Sequence, residues 1–309
     1  MISPALRPLS ASSWAWMHDR TDWGFSNSGV IASGGEVLLV DTQFTLPATR
    51  LVLDAVGAAV PGGVIGTVVA THGNGDHTWG NQLLPDAEIV TSIASTVGLC
   101  HEMGPEQLTA LAQSHSADPA TRYISRNFGH FDFAGITVVR PTRTFSGREE
   151  VKVGSVLVEL LDLGAGHSAG DVAVHVPDEG VVFAGDALFA DSHMVVWSGS
   201  LSGCIQACGQ VLDTGAEVFV PGHGPLLDRS GVTGIRDQLF RVQEAALDCV
   251  KAGVPLADAA RRVMAGHAGS WAHPERLFTQ VAAVYEEAGA TSVPASTLAM
   301  VEGMASLAC

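Results

Sequence analysis

Two lysines, Lys152 and Lys251, are all that this 309-residue chain contains, and its 16 basic residues face 32 acidic ones for a formal net charge of −16. A surface of that sign repels a phosphate backbone, which argues against nucleic acid as substrate or partner. Long apolar runs are missing too. Nowhere do about 18 uncharged apolar residues follow one another, so no spanning helix and no membrane partner is expected. The start, MISPALRPLSASSWAWMHDR, has no apolar stretch after its first charge, so no signal peptide is expected and a cytoplasmic location follows. Cysteines are few and odd in number. Cys100, Cys204, Cys208, Cys249 and Cys309 lack paired metal-finger spacing and read as reduced, mostly buried thiols. Cys204 and Cys208 stand four apart on an expected helix, but no second pair lies nearby to complete a metal site.

What the chain does have is apolar residue, 47% of it, and 35 glycines, enough for one large domain or a domain with an appendage. One pattern occurs twice. The apolar strand EVLLV (36–40) ends at Asp41, a helical stretch PATRLVLDAVGAAV follows, and the strand VIGTVVAT leads to His72. Farther on, VVFAG leads into Asp186, a helical stretch LSGCIQACGQVLD follows, and EVFVPG ends at His223. Between the two, SVLVELLDLGAGHSAGDVAVHVP supplies two strands around a glycine-rich turn that carries His167. Polar residues at the C-terminal ends of buried strands, with helices between, are how an α/β architecture builds a site along one sheet edge. Residues 92–128 carry helical patterns broken at Gly104-Pro105 and Asp118-Pro119, and ITVVR (136–140) reads as a strand. From Arg229 the pattern is helical. The small, apolar tail TSVPASTLAMVEGMASLAC packs back on the domain or across a homodimer, and its composition does not decide between them.

His72, His77, His167 and His223, with Asp76 and Asp186, are six candidate ligands beside glycine-rich turns at strand ends. Single histidines are commonly surface or satisfied core residues, but six such groups at equivalent strand ends point to metal. Neutral imidazoles with carboxylates suit zinc, iron or manganese, and two close metals need a bridging carboxylate, a place Asp186 can take. His18, His101, His115, His130, His175, His193, His267 and His273 lack this context.

The series Asp41, His72-Gly-Asn74-Gly-Asp76-His77, His167, Asp186 and His223 resembles the metallo-β-lactamase superfamily, whose five motifs stand here in order across residues 41–223. The resemblance implies an α/β fold of the four-layer αββα type with a metal site on the sheet edge. It places residue 74 with His72 and His167 in a first metal site, and Asp76, His77 and His223 in a second. Asp186 bridges the two, and Asp41 is a structural residue orienting the ligand loops. Asn74 departs from the family, which usually has histidine there. An amide oxygen is a weaker and harder donor than imidazole, so one tightly held and one weakly held Zn2+ are expected, with Fe or Mn as alternatives. Asn74 itself is left as a poor ligand or as a hydrogen-bond donor to substrate or water.

Within the superfamily, THGNGDHTWGNQLLPDAEIV, GHSAGD, FAGDALF and WAHPERLFTQVAAVYEE, with Gly80-Asn81-Gln82, Trp271 and Arg276, are similar to a group related to the cyclase/thioesterases of aromatic polyketide pathways. That likeness implies a small-molecule or carrier-bound acyl substrate: a thioester, a lactone or an aromatic polyketide intermediate. The layout expected is a catalytic domain over 1–228, with a helical insertion at about 92–130, and a helical extension over 229–309 packed on it. Trp14, Trp16, Trp23 and Phe25 precede the first core strand, where the family places a hairpin over the site. DSHMVVWSGS (191–200) brings His193, Met194 and Trp197 directly after Asp186. These two segments are expected to wall an apolar pocket, with ordinary packing as the alternative for each residue. The reading is a metal-dependent hydrolase in which Asp76 orients the water that attacks a carbonyl. An iron-dependent oxidoreductase on the same fold and a non-catalytic binding protein are its rivals.

Overall fold

The computed structural model describes residues 5–18, 20–98, 103–290 and 293–308, so Cys100, His101 and Cys309 lie outside the described residues. Seven strands form the first sheet in chain order: β1 (Ala5–Pro8), β2 (Ser13–Met17), β3 (Ser28–Ser33), β4 (Glu36–Val40), β5 (Val64–Val69), β6 (Glu88–Ser92) and β7 (Arg143–Phe145). Five form the second: β8 (Arg148–Val153), β9 (Val156–Gly164), β10 (Asp171–Val176), β11 (Val181–Phe189) and β12 (Val218–His223). The helices are α1 (Leu46–Ala59), α2 (Gly75–Thr78), α3 (Ile93–Gly98), α4 (Pro105–Ala112), α5 (Pro119–Phe128), α6 (Leu201–Asp213), α7 (Arg229–Lys251), α8 (Leu256–His267), α9 (Leu277–Glu287) and α10 (Thr297–Leu307).

Each sheet starts as antiparallel hairpins and ends in parallel pairs. β4 and β5 are joined through α1, and β11 and β12 through α6. These are the two repeats of the sequence, and parallel neighbours require such a helical crossover. α1 starts where the Thr45 hydroxyl accepts the Ala48 N–H, with Pro47 in its first turn, and it buries Leu46, Thr49, Val52 and Val56 at helical spacing. That stripe packs on the outer face of the first sheet. The inner faces meet through Ile31, Leu38, Val40, Val158, Val174 and Phe183. α6, α7 and α9 cover the outside of the second sheet, where Phe219, Val211, Val232 and Val281 share one core. The order helix, sheet, sheet, helix is the four-layer arrangement, with a helical C-terminal region added to its last layer.

Three details differ from or refine the sequence reading. ITVVR is no strand: residues 136–140 have no regular structure, Val138 is 41% exposed, and pairing with β6 starts only at Arg143, after Pro141. Pro141 lacks the N–H a ladder needs, and the run is only partly covered, Ile136 and Val139 packing on separate cores while Val138 stays exposed. Trp14 and Trp16 sit in β2 and pack on the α1 side of the first sheet, so the packing alternative holds for both. The tail folds back on its own chain, α10 lying against α5 and α9. No helix among the described residues is long and apolar enough to cross a membrane.

Candidate metal centre

The β5 strand ends at Val69; the loop from Thr71 to α2 carries His72 and Asn74, and α2 itself carries Asp76 and His77. Asp41, at the end of β4, fixes this loop. Its carboxylate accepts the Thr71 N–H at 2.7 Å, the Thr71 hydroxyl at 2.8 Å and His77 Nδ1 at 2.9 Å. To do so it adopts φ 60°, a left-handed conformation that an Asp tolerates better than most residues. On the second sheet, buried Asp171 caps the His167 turn, accepting His167 N–H at 2.7 Å and the Ser168 hydroxyl at 2.6 Å. Gly222 makes room for Asp186, since a Cβ there would stand 1.9 Å from Asp186 Oδ1.

These supports bring all seven expected ligands together. Asp186 Oδ1 lies 3.2 Å from His77 Nε2 and 3.3 Å from His223 Nε2, while Oδ2 lies 3.4 Å from His167 Nε2 and 3.8 Å from His72 Nε2. Asp76 Oδ2 is 3.4 Å from His223 Nε2 and 3.8 Å from His77 Nε2. Asn74 Oδ1 is 2.9 Å from His72 Nε2 and 2.7 Å from His167 Nε2. Asp186 therefore stands between a His72–Asn74–His167 half and an Asp76–His77–His223 half.

The hydrogen bonds behind the imidazoles decide what the cluster can hold. The Nδ1 atoms of His167 and His223 face the carbonyls of Val195 (2.7 Å) and Phe25 (3.1 Å), and that of His77 faces the Asp41 carboxylate. Those oxygens only accept, so Nδ1 carries the proton in each case. His72 Nδ1 faces the Thr71 hydroxyl at 3.0 Å, whose own proton goes to Asp41, so it too donates. The four Nε2 atoms consequently turn inward toward carboxylate and amide oxygens, a cluster that calls for a cation, whether proton or metal. His77 Nε2 and Asp186 Oδ1 are buried with no hydrogen-bond partner.

The electrostatics agree. Burial pushes His72 well below its ordinary pKa, with His77 adding to the effect. Burial opposes the charged form of His77 as well, but Asp186, Asp76 and Asp41 outweigh it and raise its pKa well above the ordinary value, so that a proton occupies the place a metal would take. For Asp186, burial works toward the neutral acid, yet His223, His77 and His167 hold it well below the usual carboxylate range. The donors fit a metal: ligands about 2.0–2.1 Å from a tetrahedral zinc stand roughly 3.3 Å apart. Around Asp186 Oδ1, Asp76 and His223 the spacings match that value, whereas Asn74 sits at hydrogen-bond distance from its two imidazoles.

One cavity opens over the cluster, lined by Asn74, Asp76, His167, Asp186 and His223 at its floor. Trp23 and Trp197 stand in its wall, their ring centroids 6.0 Å apart. The other expected pocket residues lie elsewhere. Phe25 stacks on His130 and Phe131, and Met194 is 2% exposed behind the wall, its carbonyl bonded to Gln280. His193 turns to the Ala268 carbonyl and Trp271. Residues that pattern reading did not single out complete the cavity: Phe44 and Trp79, Tyr123 and Phe128 of α5, and Val301 and Met304 of α10. Only apolar helical spacing marked those on α5 and α10, and it does not distinguish a core from a cavity wall.

Comparison with known proteins adds the following. The profile of the Metallo-beta-lactamase superfamily matches residues 21–223. Among curated proteins, the chain is 26% identical over 239 residues to a 2,4-dinitroanisole O-demethylase subunit alpha from Nocardioides sp., which covers 76% of this chain and 63% of that protein. It is 24% identical over 232 residues to an acyl-coenzyme A thioesterase from Gallus gallus, covering 71% of this chain and 80% of that protein. The chain thus spans less than two thirds of the demethylase subunit's length. Among solved structures, a metallo-beta-lactamase from Pontibacter korlensis superposes with a TM-score of 0.58 at 19% identity, over 77% of this chain and 99% of that one. A stereoselective inverting sec-alkylsulfatase from Pseudomonas sp. gives 0.68 at 15% identity, over 92% of this chain and 50% of that one. At such identities the superpositions establish the fold alone.

Proposed function

Since the chain belongs to the metallo-beta-lactamase superfamily, we propose that it is a metal-dependent hydrolase of apolar acyl compounds, thioesters, lactones or related esters. The observation that carries this reading is the ring of four imidazole Nε2 atoms around Asp186 beneath an aromatic cavity. Asp76, His77, Asp186 and His223 would hold the tighter ion, and His72, Asn74 and His167 the weaker, with Zn2+ the metal best matched to the donors. Bound there, such an ion polarises a carbonyl and lowers the pKa of a water toward neutrality.

The remaining work falls to side chains. Asp76, on the cavity floor and 16% exposed at its side chain, orients the attacking water and takes its proton. Trp23, Trp197 and Phe128 hold the apolar body of the substrate and exclude bulk water, which strengthens every polar interaction beneath them. The thioesterase relative supports an acyl thioester as substrate. A second reading, cleavage of an activated aryl methyl ether, is favoured by the aromatic walls together with the demethylase relative.

Elemental analysis of the purified protein, combined with a turnover panel of an aromatic acyl thioester, a lactone, an aryl ester and a nitroaryl methyl ether, tests the proposal. Zinc with release of thiol and acid is the expected result. Iron with turnover only under redox conditions would move the protein to the oxidoreductase class, and retained metal without any turnover would make it a binding protein. Asp76→Ala should cut kcat/KM by roughly 10²–10⁴ with the chain still folded. Undiminished turnover in that variant would remove Asp76 from the mechanism.

A further inference from the structure

Arg276 is the largest fully buried side chain outside the metal cluster. It ends the 3-10 turn Pro274–Arg276 at the start of α9 and is 2% exposed. Among the described residues no carboxylate pairs with it. Its Nη1 donates to the His193 carbonyl at 3.3 Å, and its Nε is buried with no partner. The guanidinium plane is covered by Trp23, 4.1 Å from ring centroid to Cζ, with Phe189 farther off at 5.8 Å. With its face occupied, the donors left over lie in the plane of the fork.

Arg276 also lines the cavity above the cluster, together with Asp76, His223, Trp197 and Met304. Burial works against its charge and lowers its pKa, while Tyr123, Glu275, Asp186 and Asp76 act on it through space in the opposite sense; none of them is bonded to it, Glu275 being engaged by Tyr123 and the two aspartates belonging to the metal cluster. A buried cation is kept where an acceptor meets it, and among the described residues its one hydrogen bond is to a neutral carbonyl at 3.3 Å. The planar fork matches a carboxylate, which can accept two parallel N–H bonds at once. The remaining acceptor therefore arrives with the ligand.

We propose that Arg276 is the anchoring residue for a carboxylate on the substrate. The molecule this cavity takes is then an apolar, aromatic acid whose carboxylate is separate from the bond that is cleaved. The second half of that statement rests on the hydrolase reading, whereas the anchor itself is a binding property that needs no turnover.

Calorimetry on the metal-loaded protein tests it with 4-phenylbutyrate and its neutral counterpart 4-phenylbutyramide. Wild type should prefer the acid by roughly tenfold or more, and Arg276→Met should lose that preference. Arg276→Lys, which keeps the charge and loses the fork, should retain only part of it. An equal preference in wild type and Arg276→Met would put the carboxylate on the metal and overturn the anchor. So would equal binding of acid and amide by wild type, or no binding of the acid at millimolar concentration. If Arg276→Met does not fold, as judged by circular dichroism and metal content, Arg276→Lys decides: an undiminished preference there overturns the proposal. Acid preference in a protein that turns over nothing in the ester and thioester panel would sink the hydrolase reading and leave the anchor standing.

Discussion

At the scale of single residues, the ligand positions were readable because they lie near the C-terminal ends of buried strands, where no core needs an imidazole or a carboxylate, although Asp186, expected at a strand end, stands inside β11, which runs on to Phe189. Their supports were not readable in the same way. Asp171, which holds the His167 turn, and Gly222, which gives Asp186 its room, act through contacts with no sequence period. Asn74 carries the sharpest residue-level expectation. Its oxygen is 2.9 and 2.7 Å from two imidazole nitrogens, closer than donors around a common metal stand, so this half of the cluster is contracted around an amide. Purified protein should retain about one metal per chain after dialysis against a mild chelator, and Asn74→His should move that figure toward two. Two equally tight ions in wild type, measured by elemental analysis, would contradict the inequality.

At the scale of elements, the doubled strand–helix–strand pattern was legible, because a period-2 or period-3.6 stripe reports which face is covered. ITVVR shows the limit of that logic. Its residues suit a strand, yet Pro141 and the split packing of Ile136 and Val139 leave it outside the ladder. The junction of α5 with the turn before α9 depends on groups 152 residues apart: the Tyr123 hydroxyl donates to Glu275 Oε1 at 2.8 Å. Burial drives the Glu275 carboxyl up, but bonds from His273, its own backbone N–H and Tyr123 outweigh it and bring its pKa to about 2. A carboxylate depressed in the folded state stabilises at pH above its unfolded value of about 4.3 and loses that contribution as pH falls through the folded one. Acid should therefore loosen this junction between roughly pH 4.5 and pH 2, and Glu275→Gln should flatten the dependence of Tm on pH in that window. An identical pH profile for the two proteins would show that Glu275 is not the group responsible.

At the scale of the whole molecule, the cluster is a joint between the two sheets. His72, Asn74, Asp76 and His77 come from the first, and His167, Asp186 and His223 from the second. A ligand that binds the folded chain and not the unfolded one stabilises it by mass action, so chelation should lower Tm by about 5 °C or more, reversibly on adding zinc. Unchanged melting after verified metal loss would mean that the sheets hold their alignment unaided. The helices after β12 have a different part. From the turn before α9 and its first residues, Arg276 donates to the His193 carbonyl and Gln280 to the Met194 carbonyl, while Thr279 accepts the Val196 N–H, so the wall that carries Trp197 is strapped from outside the ligand-bearing sheets. The chain after the last expected ligand, His223, thus supplies the straps and the α10 part of the cavity wall, while Trp23, Phe128 and Trp197 all precede it. Recombination near Asp228 would therefore exchange the straps and the α10 part of the wall together, reshaping one part of the cavity while leaving the expected ligands and the aromatic wall of the earlier stretch in place.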